Sequence, residues 1–236
     1  VVHYYTKTPK INNAKKFTNF FSSTFNSSRQ SVVHHFNSEA SFNKSAILTS
    51  FTFSKFGNIL MGKNRQHGFQ NWGLVNEYSS NSSSLYFESP SKNNNPNIQK
   101  NSEYSQIDIL QKIVFTLPKE KQLLINLQFS NSSNIPRFDK LNEMIKNNLR
   151  FAEWNYGPQK RLLISPQLKI FPNKKYLYKG TIIAAYQWVK ESRIQRRFGS
   201  LDRINQNENV NIFSLNADFE APKTRKISIV YGFEFI

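Results

Sequence analysis

The strongest constraint on the fold is that apolar side chains recur at every second position along several segments of the chain. The period of two is clearest over residues 123–129, 213–219 and 227–235. Successive side chains of a β-strand point to opposite faces of a sheet, whereas a helix repeats every 3.6 residues. Each of these segments is therefore predicted to be a strand with one apolar face and one more polar face.

Weaker alternation of the same kind extends over much of the remaining chain. The segments that show it are 1–7, 16–27, 31–42, 45–56, 104–117, 161–171 and 178–188. Together the segments predict about ten strands, many of them about ten residues or longer, whereas strands of soluble sheets usually have about five or six. A tilted strand of about 9–11 residues is what crossing a bilayer requires. Helix signals are poor, and 140–148 is predicted to form at most a turn or two.

From residue 43 onward, the connections between the predicted strands alternate between short and long. The short ones are 8–15, 43–44, 118–121, 172–175 and 221–224, and the long ones are 57–103, 132–159 and 190–207. An up-and-down barrel with short turns on one rim and long loops on the other has this order. The tight connection 27–30 is predicted to lie on the long-loop rim. Within the second half of the first long loop, the Ser- and Asn-rich stretch 79–101 is predicted to be mobile and to bury little.

The fold class predicted is all-β, an antiparallel up-and-down transmembrane β-barrel that is partial, with about ten strands of a larger barrel and long extracellular loops. Aromatic residues near the strand ends fit the interfacial girdles of such barrels. They are Tyr4, Tyr5, Phe17, Phe56, Tyr104, Phe171, Tyr176 and Trp188. Ordinary β-propensity also enriches aromatics in strands, so this signal supports the barrel without deciding it.

Sequence signals for an enzyme or a metal site are absent. The chain has no Cys, which excludes disulfides, Cys-ligated zinc and thiol chemistry. His34 and His35 are adjacent on a predicted strand and point to opposite faces, so they are badly placed to chelate one ion. No HExxH, P-loop, GxSxG or dinucleotide-binding glycine motif occurs. We expect no catalytic activity and no cofactor.

Positive charge is the strongest signal in favour of a function other than that of a membrane barrel, namely nucleic-acid binding. The chain carries 32 Lys and Arg against 15 Asp and Glu. One basic cluster interleaved with aromatics, as single-stranded nucleic acid binding requires, consists of Trp188, Lys190, Arg193, Arg196, Arg197, Phe198 and Arg203. The lysines, however, are scattered over the whole chain and often fall in turns. A basic all-β nucleic-acid-binding protein is therefore the second alternative, and no nucleic-acid partner is expected.

A second cluster of aromatic, basic and amide residues lies in and just after the second long loop. Its members are Arg150, Phe151, Trp154, Asn155, Tyr156, Gln159 and Arg161. Such a group at the base of a loop can bind a ligand, or it can fasten the loop to the barrel. With no ligand in view, the structural role is the preferred interpretation.

Several blocks of sequence resemble the barrel region of TonB-dependent outer-membrane receptors of the Bacteroidota type. The blocks keep their order over most of the chain and lie at 50–57, 61–65, 131–141, 149–161, 185–187, 191–200 and 209–219. The resemblance implies a barrel of about 22 strands around an N-terminal plug. It also implies uptake of a scarce nutrient (a ferric siderophore, haem, cobalamin or a glycan), driven through TonB. The plug sequence and the TonB box are not found in this chain.

The resemblance sets our expectations for the site, the partners and the location. Loop residues that could face a ligand are Arg137, Trp154, Tyr156, Arg193 and Arg197. The expected partners are outer-membrane lipid, a small-molecule or metal-chelate ligand, and TonB through the plug region. The expected location is the bacterial outer membrane.

We expect residues 1–236 to be one part of the transmembrane barrel domain of a longer protein, because both ends of the chain lie in strand-like alternation. The first alternative is a complete small outer-membrane barrel that acts as a passive channel or an adhesin.

Overall fold

The computed structural model describes residues 6–12, 14–80, 89–172, 174, 176–223 and 227–236. This part of the chain is almost entirely β. Its elements are β1 (Lys16–Asn26), β2 (Ser31–Ser41), β3 (Ser45–Phe56), β4 (Ile59–Leu60), β5 (Glu77–Tyr78), β6 (Ser91–Lys92), β7 (Ile98–Gln99), β8 (Tyr104–Leu117), β9 (Lys121–Ser132), β10 (Ile135–Pro136), α1 (Phe138–Leu141), β11 (Met144–Ile145), β12 (Asn148–Leu149), β13 (Phe151–Tyr156), β14 (Lys160–Ile170), β15 (Lys179–Arg197), β16 (Arg203–Glu220) and β17 (Val230–Phe235). Within it, no helix combines the length and the apolarity that crossing a bilayer would take.

The long strands form one antiparallel meander. They pair in the order β1-β2-β3-β8-β9-β14-β15-β16-β17, each with its neighbour along the chain, and β13 and β10 complete an 11-stranded sheet. The prediction of an all-β, antiparallel, up-and-down sheet is confirmed. The predicted strand at 1–7 lies mostly outside the described residues, and Thr6 and Lys7 are not in a strand.

Over the described residues the sheet is open and does not close into a barrel. β1 pairs only with β2, and β17 pairs only with β16. Each of these two strands therefore presents one edge whose backbone groups have no partner within the sheet.

Short and long connections lie on opposite rims of the meander. We call the side with the turns 42–44 and 118–120 the short-turn rim, and the side with 57–103 and 133–159 the long-loop rim. The tight turn 27–30 lies on the long-loop rim as predicted, where the Leu60 amide donates to the Ser28 carbonyl at 2.6 Å.

The predicted long loop at 190–207 is wrong. β15 continues to Arg197 and β16 begins at Arg203, so the two strands form a tall hairpin that pairs from Lys179↔Glu220 to Arg196↔Arg203. Backbone pairing does not require apolar side chains, and polar residues predominate on both faces of the upper half of this hairpin. One consequence is that Trp188 lies well inside β15 and not near its end, contrary to the girdle prediction.

The other predicted girdle residues are close to strand ends wherever the structure describes them. Phe17 is near the start of β1, Phe56 ends β3 and Tyr104 begins β8, with the Phe56 and Tyr104 rings 4.6 Å apart. Phe171 and the exposed Tyr176 follow β14 on the short-turn rim. Tyr4 and Tyr5 lie outside the described residues.

The long loops contain small elements of their own. In the first loop β4 pairs with β7 and β5 with β6, while the second holds α1 and the hairpin of β11 and β12. The stretch 79–101 was predicted to bury few side chains. For residues 89–101, which the structure describes, this prediction is wrong. The Asn93 side chain is buried there and donates to the Val75 and Ile98 carbonyls at 2.8 and 3.0 Å. Residues 81–88 lie outside the described part.

Register aligns the apolar positions of separate strands into one face, which we call the apolar face. One row of paired residues crosses seven neighbouring strands and consists of Phe21, Phe36, Phe51, Ile109, Phe129, Leu162 and Trp188. Many side chains of this face are open to solvent: Phe21 is 64% exposed and Phe51 39%. An apolar surface this wide is unusual on a soluble monomer.

The opposite face, which we call the polar face, carries hydrogen-bonded polar side chains. Its matching row consists of Ser22, His35, Thr52, Asp108, Ser130, Arg161 and Val189. His35 Nδ1 lies 2.8 Å from Thr52 Oγ1, and the Ser130 hydroxyl donates to Asp108 Oδ1 at 2.6 Å. A concavity of about 380 Å³ on this face is lined by residues of five neighbouring strands, so the sheet curves toward its polar side.

The N-terminal segment 6–12 lies against the polar face near the short-turn rim. Lys112 Nζ donates to the Thr6 carbonyl at 3.0 Å, and the Lys7 ammonium pairs with the Glu39 carboxylate. Leu48 and Val114, on the same face, are fully buried. The best-packed part of the meander is therefore on its polar side.

Candidate functional site

The segment 133–159 stands on the long-loop rim, and we call it the excursion. β13 pairs with the upper part of β15 directly above β14, and β10 pairs with β13. Gly157 makes the break between β13 and β14 with a φ of +100°, and a Cβ there would lie 3.1 Å from the Ser133 carbonyl oxygen. Its amide donates to the Ser192 carbonyl at 2.8 Å, which fixes the base of the excursion to β15.

Trp154 is at the centre of a small apolar core inside the excursion. It is 7% exposed and packs with Leu141 of α1 and Phe151 of β13. The Tyr156 ring meets the Trp154 ring edge-on, with centroids 4.9 Å apart. A tryptophan this buried contributes packing more readily than a ligand contact, so its position supports the fastening role.

Arg137 lies over the Trp154 ring of this core. Its guanidinium carbon lies 4.8 Å from the Trp154 ring centroid, and its backbone amide donates to the Trp154 carbonyl at 2.9 Å. The guanidinium also donates to both Asp139 carboxylate oxygens, at 3.1 and 3.2 Å. The hydrogen bond to Asp139, with a smaller contribution from Tyr156, raises the pKa of Arg137. Arg137 is therefore a fixed and permanent cation at the loop surface.

Tyr156 and Arg193 are register partners and border a small polar cleft. They face each other across β13 and β15, and the cleft of about 150 Å³ also involves Gln159, Glu191 and Glu208. The Arg193 guanidinium is 4.0 Å from the Glu208 carboxylate and remains half exposed. A small polar group would find both hydrogen-bond donors and acceptors there.

Arg197 is not part of this group. It pairs with Phe151 at the far end of β15 and is exposed. Four residues separate it from Arg193 along the strand, which is about 13 Å at 3.3 Å per residue. Of the five predicted site residues, the structure brings together Arg137, Trp154, Tyr156 and Arg193, and leaves Arg197 apart.

A buried ionic network lies beside this group, and sequence reasoning did not predict it. Glu153 accepts hydrogen bonds from Arg196 Nε at 3.0 Å and Arg203 Nε at 2.8 Å. The Arg196 and Glu153 side chains are only 7% and 14% exposed. The three residues are consecutive register partners on β13, β15 and β16. A sequence gives no sign of such a contact, because it depends on the register of three strands.

A cavity of about 580 Å³ opens on the long-loop rim next to the excursion. Its polar and charged lining includes Lys55, Glu103, Asn101, Asn134, Glu153 and Asn155. The paired rings of Phe56 and Tyr104 form part of its wall, and the Arg29 guanidinium lies 4.9 Å from the Phe56 centroid. Amides, carboxylates and an aromatic wall suit a polar ligand of small to moderate size.

The described residues contain no group of three His, Asp or Glu side chains that could hold a metal ion. Comparison with known proteins found no protein-family model, no curated protein and no solved structure that matches this chain. The resemblance to TonB-dependent receptors therefore stays a prediction from sequence.

Proposed function

We propose that this chain is part of the transmembrane barrel of an outer-membrane TonB-dependent receptor that takes up a scarce nutrient. The observation that carries the proposal is the apolar row from Phe21 to Trp188, which lies on a single-layer sheet and has four of its seven side chains exposed to solvent. Apolar surface in water is costly, at roughly 25 cal/mol per Å². A lipid surrounding removes that cost and leaves the polar side chains facing the interior of a barrel.

The dimensions of the sheet support a bilayer surrounding. The meander strands from β1 to β16 have 11 to 19 residues, and a tilted crossing takes about 9–11. From Leu123 to Phe129 the apolar positions of β9 span six residues, which is about 20 Å at 3.4 Å per residue. The apolar band of outer-membrane barrels is about 25 Å tall.

The topology supports a larger barrel rather than one closed by these strands. With nine strands in the meander, β1 and β17 run in the same direction. An antiparallel barrel can close only if an odd number of further strands lies between them, and bacterial barrels have even strand numbers. The segment 6–12, which enters along the polar face, occupies the side on which the family carries its plug.

In this proposal the long-loop rim faces the outside and receives the ligand. The cavity beside the excursion and the cleft at Tyr156 and Arg193 are the candidate contact surfaces, for a small molecule or a metal chelate. Trp154 holds the excursion in place. Arg196 and Arg203 share one counter-ion, Glu153, which offsets one of their two positive charges, so the basic cluster offers fewer free cations to a nucleic acid than its sequence indicates.

Site-directed spin labelling tests the membrane assignment, and the absence of Cys makes every introduced Cys unique. We would place nitroxides at Leu127→Cys on the apolar face and at Gln128→Cys on the polar face of the same strand. In phospholipid bilayers the label at 127 should collide preferentially with oxygen, which concentrates in lipid. The label at 128 should collide with a water-soluble nickel complex. Equal accessibility at both positions, or water exposure at 127, would refute the membrane assignment.

Ligand binding tests the receptor assignment separately. The chain in bilayers would be titrated with ferric siderophores, haem, cobalamin and oligosaccharides, each alone. We expect one class to bind and the Asn155→Ala variant, which alters the cavity wall, to weaken that binding. The matched control is Gln128→Ala on the polar face below the rim. If the labels report a bilayer but no class binds, the receptor assignment fails and the membrane assignment stands.

A further inference from the structure

Charge is divided unequally between the two faces of the meander. Every Asp and Glu in its nine strands lies on the polar face, as the register places Glu39, Asp108, Glu191, Glu208, Asp218, Glu220 and Glu234. Lysines, by contrast, also occur on the apolar face. A surface that keeps cations but carries no carboxylates is complementary to anions.

Lys160 and Lys190 are the cations of the apolar face at the long-loop rim of β14 and β15. They are direct register partners, so their Cα atoms are about 4.5–5.5 Å apart. Like charges directly opposite one another destabilise a strand pair. Within the described residues, no salt bridge joins either lysine to a carboxylate.

The lysine pair borders the apolar band. Lys160 lies two residues beyond Leu162, and Lys190 two residues beyond Trp188, in the direction of the long-loop rim. Two residues correspond to about 7 Å along a strand. The register partners on the outer sides of the pair are Asn131 and Asn209, which add amide donors at the same height.

We propose that Lys160 and Lys190 bind the phosphate of an anionic lipid headgroup at the boundary of the bilayer. The lipid chains would cover the row of Phe129, Leu162 and Trp188, and the phosphate would lie between the two ammonium groups. A lysine is a compact cation that binds phosphate as a point charge, and its apolar stem can lie along the band while its ammonium reaches the headgroup level. The proposal rests on the membrane assignment above, which supplies the lipid.

Tryptophan quenching by brominated lipids tests the site, because Trp188 lies on the same face as the pair. The full chain would be placed in bilayers of phosphatidylcholine that contain a minor fraction of phosphatidylglycerol, with bromine on one lipid at a time. Trp154 is buried in the excursion and Trp72 is in a loop, and a Trp188→Phe variant measures their background. We expect phosphatidylglycerol to be enriched at Trp188 on the order of tenfold.

Substitutions separate a specific site from general attraction to a basic protein. Lys160→Gln with Lys190→Gln should reduce the enrichment to near one, and the double Arg variant should keep it. Lys169→Gln is the matched control, since Lys169 lies on β14 but on the polar face, and it should leave the enrichment unchanged. Equal enrichment in the double Gln variant and in the unmodified chain would overturn the proposal.

Three further outcomes of this experiment can be distinguished. If neither brominated lipid quenches Trp188, the membrane assignment itself fails, and the site fails with it. If each lipid quenches Trp188 only in proportion to its share of the bilayer, the membrane assignment stands and the headgroup site is wrong. Millimolar inorganic phosphate should not abolish the enrichment, and its doing so would identify a site for free phosphate in place of a lipid.

Discussion

Replacing Trp154 with Ala tests whether the group at the base of the excursion fastens the loop or is free to bind a ligand. Trp154 packs with Leu141 and Phe151 and touches the Arg137 guanidinium and the Tyr156 ring. If these contacts hold the excursion to β15, their loss must loosen residues 133–159. The residues that form this core all belong to the excursion, so the long strands from β1 to β9 should stay unchanged.

The magnitude follows from the burial of the side chain and its ring contacts. Truncation of a buried Trp to Ala costs about 3–5 kcal/mol. The edge-on pair with Tyr156 and the Arg137 contact account for roughly 1–2 kcal/mol of that sum. Because about 1.4 kcal/mol is tenfold in an equilibrium constant, the open form of the excursion should become on the order of 100- to 4,000-fold more populated.

Amide hydrogen exchange measures this opening directly. The reporters are the amides of Arg137 and Gly157, which donate to the Trp154 and Ser192 carbonyls. They should exchange on the order of 100-fold faster in the variant, while the amides of β9 keep their rates. Trp72→Ala is the control, since Trp72 is 64% exposed and its removal should leave the exchange rates of the two reporter amides and of the β9 amides unchanged. Reporter rates within threefold of the unmodified chain, or acceleration of the whole sheet, would refute the fastening role.

The other predictions concern charges of the same region. The hydrogen bond from Arg150 holds the pKa of Glu143 below its ordinary value, so this pair stabilises the excursion at neutral pH and ceases to do so as the pH falls through the lowered pKa. The protection factors of the amides in 143–150, which correct for the intrinsic pH dependence of exchange, should therefore fall below about pH 4, and Glu143→Gln should remove that fall; a variant that keeps it would show that another group is responsible. Glu153→Gln leaves the buried Arg196 without its counter-ion and should lower the free energy of unfolding by about 3–5 kcal/mol in a denaturant titration. Arg203, the half-exposed partner of Glu153, offers the comparison: Arg203→Gln should lower the free energy of unfolding by less than about 1 kcal/mol. Equal losses of stability in the Glu153→Gln and Arg203→Gln variants would mean that Glu153 is not effectively buried.

The strands of the meander were predictable because each carries its own signal. β3 and β8 have the bounds that alternation predicts, β1 and β2 differ by a residue at one end, and β14 differs by a residue at each end. Turn-forming residues between them, such as Pro118, mark where each strand stops. Both the period and the turns are local, so one sequence is enough to read them.

The upper half of the β15 and β16 hairpin was missed for a physical reason. From Glu191 to Arg197 the one apolar side chain is Ile194, so no alternation of apolar and polar residues is visible there. The strand exists because each backbone group finds its partner on β16, a long-range contact that leaves no local mark. The same holds for the ionic network. Glu153 and Arg203 are fifty positions apart, and they come into contact because β13 and β16 both pair with β15.

The sequence by itself determined which residues share a face within each strand, because side-chain direction alternates along any extended backbone. Only the tertiary structure decided that the apolar positions of seven strands line up in one row, and that Lys160 stands opposite Lys190. A slip of one residue between two strands would turn one of them over and mix the faces. Register is set jointly by the turns, the backbone ladder and the packing across the sheet, and none of these is a property of a single strand.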